Sequence, residues 1–242
     1  MGARTRSQYR SGIQTFFDDQ QSFETVHPMA GYSFREDFDQ KAIDSTNLWT
    51  LIDVSTTGNS TPILAADAAS GVLRCPLDAT SEAQESGVTR GDQRVLVLNQ
   101  GLIIEYALAL QTLPTSLGIA VWGLAGDKNA VANTVAESIW FRADGSGAVT
   151  VETDDTVNET SLVATGTTLT AGTQAIFRID CSVTTSVKFF INGNRVAGTT
   201  TFNMSTVPTL KLQPYVHIAK ASGTGVGTVD VDCIRAWQRR IA

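Results

Sequence analysis

A hairpin signature in the last quarter of the chain restricts the fold more than any other feature. The pair Asn192-Gly193 stands between two apolar runs, residues 186–191 and residues 194–196. A two-residue turn of type I′ needs positive φ at both central positions, and Asn-Gly is the pair that adopts it most readily. The segment therefore predicts two antiparallel strands joined by a tight turn.

The composition extends this prediction to the whole chain. Of its 242 residues, 31 are threonine and 20 are glycine, and only 17% are charged, against about 25% in an average soluble domain. Threonine is β-branched and favours strands, while glycine marks turns and bulges. A helical bundle would be richer in Ala, Glu, Lys and Leu. The composition thus favours an all-β protein, and the length suits one large β domain.

Other apolar runs recur at spacings of roughly 8 to 15 residues, as in a sandwich of antiparallel strands. A second hairpin is expected where residues 137–141 and 149–152 flank the turn Asp144-Gly145-Ser146-Gly147. Further strands are predicted at residues 101–108, 117–124, 174–181, 210–218 and 226–237. Residues 129–136 carry the only weak helical pattern. About a dozen strands in all predict an antiparallel jelly-roll β-sandwich.

The last predicted strand has a mixed pattern. We expect Val229, Val231, Cys233 and Arg235 on one side of it and Asp230, Asp232 and Ile234 on the other. Neither of these faces is cleanly apolar. No linker or internal repeat follows residue 34, so residues 34–242 are predicted to form a single domain.

The first 33 residues differ from the rest and are predicted to form an N-terminal arm. They combine glutamines with large aromatic side chains, and residues 13–17 have the spacing of one short helical turn. Such a segment either packs along its own domain or docks on a neighbouring subunit. For the second alternative, the expected interface residues are Arg4, Arg6, Tyr9, Arg10, Phe16, Phe17 and Phe23.

Three segments carry a resemblance to a known family. They are FREDFD at residues 34–39 followed by Trp49, VKFFING at residues 187–193, and VDVDCIRAW at residues 229–237. Together they resemble the concanavalin A-like lectin/glucanase jelly roll, the laminin-G-like family. The resemblance implies that the first and last strands of the domain lie side by side, which would bury Phe38, Trp49 and Trp237.

The glucanases of this fold carry Glu-x-Asp-x-x-Glu on one strand, which sets two carboxylates on one face for retaining hydrolysis. The nearest match begins at Glu152 and Asp154, but Val157 stands where the third acid is required and Glu159 comes two positions later. We expect an acidic, solvated turn there. The chain is accordingly predicted not to be an enzyme, and hydrolysis is the weakest of three functional hypotheses.

The sequence gives little support for nucleophilic catalysis or for a calcium site. The two histidines, His27 and His217, accompany no Gly-x-Ser-x-Gly nucleophile motif. Asp144, or Asp154 with Asp155, could contribute to a calcium site, but no EF-hand spacing is present. No cofactor is therefore predicted, and a structural calcium ion stays open.

Charge and hydropathy exclude several partners. The net charge of −6 argues against general nucleic-acid binding, which needs a basic face. No run of 18 apolar residues predicts a membrane span, and no apolar stretch follows the N-terminal arginines as in a secretory signal.

Three widely spaced cysteines, Cys75, Cys181 and Cys233, are expected to stay reduced in strands.

Two functional hypotheses remain in front. An all-β sandwich with a polar-aromatic arm is similar to structural proteins of tailed bacteriophages, above all capsid decoration (cement) proteins. This resemblance implies a homo-oligomer, with a trimer favoured, that binds the major capsid protein or other virion subunits in a virion assembled in the host cytoplasm. The alternative is a lectin-like adhesion module on a phage or cell surface, for which Trp122 and Trp140 are the candidate glycan-binding residues.

Overall fold

A computed structural model describes residues 5–10, 13–18, 24–25, 31–115 and 117–239 of the chain. Strands dominate the described residues, and the helical content is limited to two single 3₁₀ turns, Leu98–Gln100 and Ala132–Thr134. The strands are β1 (Thr5–Arg10), β2 (Ile13–Asp18), β3 (Glu24–Thr25), β4 (Gly31–Glu36), β5 (Thr50–Val54), β6 (Ile63–Leu64), β7 (Leu73–Leu77), β8 (Gln84–Thr89), β9 (Leu96–Val97), β10 (Ile103–Thr112), β11 (Ile119–Ala125), β12 (Glu137–Asp144), β13 (Ala148–Asp155), β14 (Glu159–Thr168), β15 (Ala175–Asp180), β16 (Lys188–Ile191), β17 (Asn194–Val196), β18 (Lys211–Lys220) and β19 (Gly227–Arg239).

Two antiparallel sheets of eight strands form a jelly-roll β-sandwich, which confirms the predicted fold class. The first, called the β10–β19 sheet, has the order β17-β16-β15-β10-β19-β7-β6, with β4 also paired to β19. The second, called the β11–β18 sheet, has the order β14-β13-β12-β11-β18-β8-β5, with β9 also paired to β18. The sandwich has more strands than the predicted dozen because strands of only two residues, such as β6 and β9, leave no periodic pattern in the sequence.

Both predicted hairpins are present. In the β16–β17 hairpin, Asn192 and Gly193 have φ values of 50° and 79°, as a type I′ turn requires. Strands β12 and β13 form the second hairpin. The weak helical pattern at residues 129–136 corresponds to no α-helix, since only the 3₁₀ turn Ala132–Thr134 forms there.

Alternate residues of the two sheets meet in one apolar core. A chain of edge-to-face aromatic rings crosses it, with centroid separations of 4.9 Å for Trp122 and Phe177, 5.1 Å for Phe177 and Phe141, and 5.3 Å for Phe141 and Phe189. Each of these side chains is fully buried. Aromatic pairs in such geometry contribute beyond the area they bury, so this cluster fixes the spacing of the two sheets.

The opening and closing strands of the sandwich lie side by side, as the family resemblance implies. Strand β4 pairs with β19, with Arg35 opposite Arg235. Phe38 and Trp49 are buried beside this pair with ring centroids 5.8 Å apart. The expectation for Trp237 is corrected, because its side chain lies on the outer face and is only partly buried.

A β-bulge in β19 explains that correction. Leu108 of β10 is opposite Val231 and Ala107 is opposite Cys233, so Asp232 is skipped in the pairing. Beyond the bulge the alternation is reversed, and Ile234 and Ala236 enter the core. The predicted grouping of Cys233 and Arg235 with Val229 and Val231 is therefore wrong.

The N-terminal strands form a separate sheet in the order β1-β2-β3. Residues 13–18 form β2, so the predicted helical turn is wrong there. In the backbone register of β1 and β2, Arg6 is opposite Phe17 and Tyr9 is opposite Gln14. Arg10 is opposite Ile13, and Phe16 is opposite Ser7. Arg4 and Phe23 lie outside the described residues. Strand β4 of the sandwich begins at Gly31, three residues before the predicted boundary.

Candidate functional site

The outer face of the β11–β18 sheet carries large and charged side chains that a sandwich would normally expose. Tyr215, Gly123 and Trp140 are register partners on β18, β11 and β12, and Glu152 of β13 continues the same row. The rings of Tyr215 and Trp140 approach to 5.8 Å above the glycine between them. A Cβ at Gly123 would collide with the Ile139 carbonyl and with Trp140, so this row requires glycine at its centre.

Residues 126–136, between β11 and β12, cover this face, and we call them the covering segment. Ala132 and Val135 pack with Trp140 and Tyr215 in a second apolar cluster. Trp140 is fully buried as a result, and Trp122 is fully buried in the core between the sheets. The prediction that these two tryptophans bind glycan is therefore corrected, since neither indole presents a face to a ligand in this structure.

An ion pair joins the same segment to the sheet, with a nearly buried carboxylate and an exposed lysine. The Glu85 carboxylate is 2.7 Å from the Lys128 ammonium and 3.2 Å from Nε2 of His217. Burial lowers the pKa of His217, so a neutral imidazole faces the carboxylate. Hydrogen bonding from His217, together with Lys128, lowers the pKa of Glu85 to about 2. Glu85 is thus an anion at any ordinary pH, and it attaches the covering segment to the sheet through Lys128.

The acids that resemble the glucanase motif, Glu152 and Asp154, do not lie in a solvated turn as expected. Glu152 is 4% exposed, its Oε2 lies 3.8 Å from Nη1 of Arg142, and burial raises its pKa. Burial also raises the pKa of Asp154, which is the register partner of Glu159 on β14. Glu152 is therefore closed off from solvent, whereas Asp154 is half-buried and Glu159 is exposed.

Hydrogen bonds to Asp155 and Asp154 shape the turn after β13. Oδ1 of the fully buried Asp155 accepts hydrogen bonds from the amides of Val157 (3.1 Å) and Asn158 (2.7 Å). Asp154 accepts one from the Thr156 amide at 2.7 Å. The expected acidic, solvated turn is corrected at Asp155, which serves as a buried cap of the turn.

An open groove of about 360 Å³ lies between the edge strand β5 and the start of the covering segment. Its lining comes from four separate parts of the chain and is polar and apolar in about equal measure. The lining residues are Thr50, Leu51, Ile52, Asp53, Val54, Thr89, Gly91, Asp92, Asp127, Lys128 and Gln213. Three of the lining residues, Asp53, Asp92 and Asp127, are exposed carboxylates.

The groove carboxylates differ in how firmly they are held. Asp53 accepts hydrogen bonds from the hydroxyls of Ser60 (3.0 Å) and Thr61 (2.7 Å). Asp92 and Asp127 are 75% and 71% exposed. Hydrogen bonding to Asp127 raises the pKa of Asp92, and hydrogen bonding from Arg94 lowers the pKa of Asp127. Asp53 is therefore held by hydrogen bonds, while Asp92 and Asp127 present exposed carboxylates to a ligand entering the groove.

Sequence reasoning missed this groove because no local motif contains it. One signal was available: Asp92 follows Gly91, and both have positive φ, which marks a tight loop at the end of β8. The partners of that loop come from β5, β18 and the covering segment, and no sequence spacing reveals those pairings.

Metal and membrane sites have no clear basis in the described residues. Within residues 31–115 and 117–239, no group of three or more His, Cys, Asp or Glu side chains could hold a metal ion. Asp144, one of the calcium candidates, instead bonds Nε of Arg142 at 2.9 Å. No helix in the described part of the chain is long and apolar enough to cross a membrane.

Known structures with the same architecture include proteins of several kinds. A protein of unknown function from Shewanella oneidensis MR-1 superposes with a TM-score of 0.60 at 11% identity, covering 88% of this chain and 90% of that one. The Emp47p carbohydrate recognition domain gives 0.55 at 8%, covering 89% and 100%. A β-1,3-glucanase from Mycobacterium marinum gives 0.53 at 16%, covering 84% and 97%.

These likenesses define the class of fold, the concanavalin A-like lectin/glucanase sandwich. The identities are too low to carry a function, because this fold serves unrelated activities. No protein-family model matches the chain, and no curated protein sequence matches it.

Proposed function

We propose that this chain is a non-catalytic carbohydrate-binding protein whose ligand occupies the groove beside β5. The observation that carries the proposal is that the exposed carboxylates of Asp53, Asp92 and Asp127 line one open concavity. A sugar presents several hydroxyl groups, and carboxylate groups that line a concavity are natural hydrogen-bond acceptors for them. The carbohydrate recognition domain and the glucanase that share this fold make a glycan the first ligand to test.

Binding without hydrolysis follows from the position of the acids. A retaining hydrolase needs two carboxyl groups about 5–5.5 Å apart that flank an accessible glycosidic bond. Glu152 is only 4% exposed, and Val157 provides no second acid. We therefore expect no release of reducing ends from β-1,3-glucan or mixed-linkage glucan over long incubation.

A glycan array followed by titration calorimetry tests the proposal. Asp92→Asn removes one exposed carboxylate from the groove, and Asp67→Asn is its matched control, because both aspartates are exposed and have positive φ, 66° and 56°. Loss of a charged hydrogen bond of about 1.5–3 kcal/mol should weaken binding roughly tenfold or more. Equal affinity of the two variants, or no binding to any glycan on the array, would contradict the proposal.

A virion structural role is the second candidate, favoured by the separate N-terminal sheet. Within the described residues, β1 and β3 are edge strands of that sheet, and an edge strand offers unpaired backbone groups to another chain. We propose that this sheet, with Arg6, Tyr9, Arg10, Phe16 and Phe17 on it, docks on the major capsid protein as part of a homo-oligomer. Cosedimentation with phage particles tests this, and retained binding after deletion of residues 1–30 would exclude the docking role.

A further inference from the structure

The outer face of the β10–β19 sheet carries four arginines in one row, in a chain whose net charge is −6. Register pairs join Arg195 to Phe190, Phe190 to Arg178, Arg178 to Glu105, Glu105 to Arg235, and Arg235 to Arg35. The row crosses six adjacent strands, β17-β16-β15-β10-β19-β4. We call Arg195, Arg178, Arg235 and Arg35 the arginine row.

Glu105 holds the middle of the arginine row in place. Its side chain is 7% exposed, its Oε1 lies 2.6 Å from Nε of Arg178, and its Oε2 bonds Nε of Arg235. Both arginines bond it through Nε and remain 43% exposed. One buried carboxylate therefore orients two guanidinium groups without covering them.

The positive charge of the row exceeds that of its partners. Arg35, 71% exposed, pairs with Asp37 at 2.7 Å, and Arg195 is exposed with no ion pair found among the described residues. Four arginines against Glu105 and Asp37 leave a local excess of two positive charges. Because guanidinium groups are planar, always charged and form paired hydrogen bonds, such a row suits carboxylate or sulfate groups.

Apolar surface lies between the charges. Phe190 stands in the row itself, and the guanidinium carbon of Arg178 lies 5.7 Å from the ring centroid of Trp237. Phe190 and Trp237 are both partly exposed on this face. Flat apolar rings beside fixed cations form a surface on which sugar rings pack and their acidic substituents pair.

We propose that this face binds an extended anionic polysaccharide, laid across the strands along the arginine row. Neighbouring strands are about 4.8 Å apart, so the backbones of Arg195 and Arg178 are about 10 Å apart, whereas the guanidinium groups of Arg178 and Arg235 converge on the one carboxylate of Glu105. The row therefore presents a central pair of guanidinium groups with Arg195 on one side and Arg35 on the other, and a polymer with acidic groups along its length can pair with several of them. The surface is on the opposite sheet from the groove beside β5, so this inference goes beyond the proposed function.

The apolar rings of this face favour a polysaccharide over other polyanions. Duplex DNA keeps its bases stacked inside and presents mainly phosphates, so it has no apolar ring face to pack on Phe190 and Trp237. An acidic protein surface would need no ring-sized apolar platforms between the cations. Both alternatives are included as outcomes of the test.

The test compares probes on the full chain by calorimetry and affinity electrophoresis. Heparin serves as the sulfated probe and polygalacturonate as the carboxylated probe, with dextran, poly-L-glutamate and duplex DNA as the other arms. Arg195→Gln with Arg35→Gln removes the two ends of the row and leaves the contacts of Glu105 intact. Lys41→Gln with Lys211→Gln is the charge-matched control, since both lysines are exposed and lie off the row.

We expect both acidic polysaccharides to bind, dextran not to bind, and added salt to weaken the binding. The arginine double variant should bind at least tenfold more weakly, while the lysine control and Asp92→Asn keep the wild-type affinity and all variants keep the wild-type melting temperature. Wild-type affinity in the arginine double variant would overturn the proposal. So would tighter binding of poly-L-glutamate or of DNA than of either acidic polysaccharide.

Discussion

At the scale of single residues, Trp49, which precedes β5, and Trp237 of β19 differ in what they contribute to stability. Trp49 is 2% exposed and its Nε1 donates to Oε2 of Glu36 at 3.3 Å, whereas Trp237 lies on the outer face under Arg178. Trp49→Ala should lower the free energy of unfolding by about 3–5 kcal/mol, and Trp237→Ala by about 1–2 kcal/mol. Urea denaturation of both variants measures this, and equal losses would contradict the assigned positions.

Glu85 gives a prediction at the same scale for the dependence of stability on pH. Its pKa is lowered from 4.5 to about 2 in the folded chain, so its stabilising contribution is complete above about pH 4.5 and is lost as the pH falls toward 2. The difference in unfolding free energy between the wild type and Glu85→Gln should therefore be widest near pH 6 and shrink on acidification. Chemical denaturation at a series of pH values measures this difference, and a constant difference would show that the carboxylate charge is not what stabilises the covering segment.

At the scale of elements, the β16–β17 hairpin allows a matched comparison of two glycines. Gly193 has a φ of 79° with open space around its Cα, whereas Gly198 has no such φ and a Cβ there would make ordinary contact with Arg195. Gly193→Ala should therefore cost about 1–2 kcal/mol through backbone strain alone, and Gly198→Ala should be neutral or slightly stabilising. Thermal denaturation of the two variants gives the comparison, and equal effects would contradict the type I′ turn.

The elements also show where sequence reasoning succeeds and where it fails. The β12–β13 and β16–β17 hairpins are local, and their turn residues lie next to the strands they join, so the sequence predicts them. The bulge at Asp232 depends on how β19 pairs with β10, and no pattern within β19 reveals it. The groove, the covering of Trp140 and the arginine row likewise arise from strands that are distant in the chain, so residue type alone could not locate them.

At the scale of the whole molecule, the sandwich should be independent of the N-terminal sheet. Its strands begin at Gly31, and β4 pairs with the end of β19. Deletion of residues 1–30 should leave the melting temperature within a few degrees of the wild type, whereas deletion of residues 1–36 removes β4 and should lower it clearly. Differential scanning calorimetry of both truncations tests this, and a large loss in the shorter truncation would show that the N-terminal strands stabilise the sandwich.

The pairing of β4 with β19 has a consequence for protein engineering. Because Gly31 and Arg239 are register partners, the backbone enters and leaves the sandwich at neighbouring points. Such proximity permits circular permutation and insertion of a domain into a host loop. A few added residues could join position 239 to position 31, new termini could be opened at the Asn192-Gly193 turn, and both outer faces could then be displayed on a scaffold of choice.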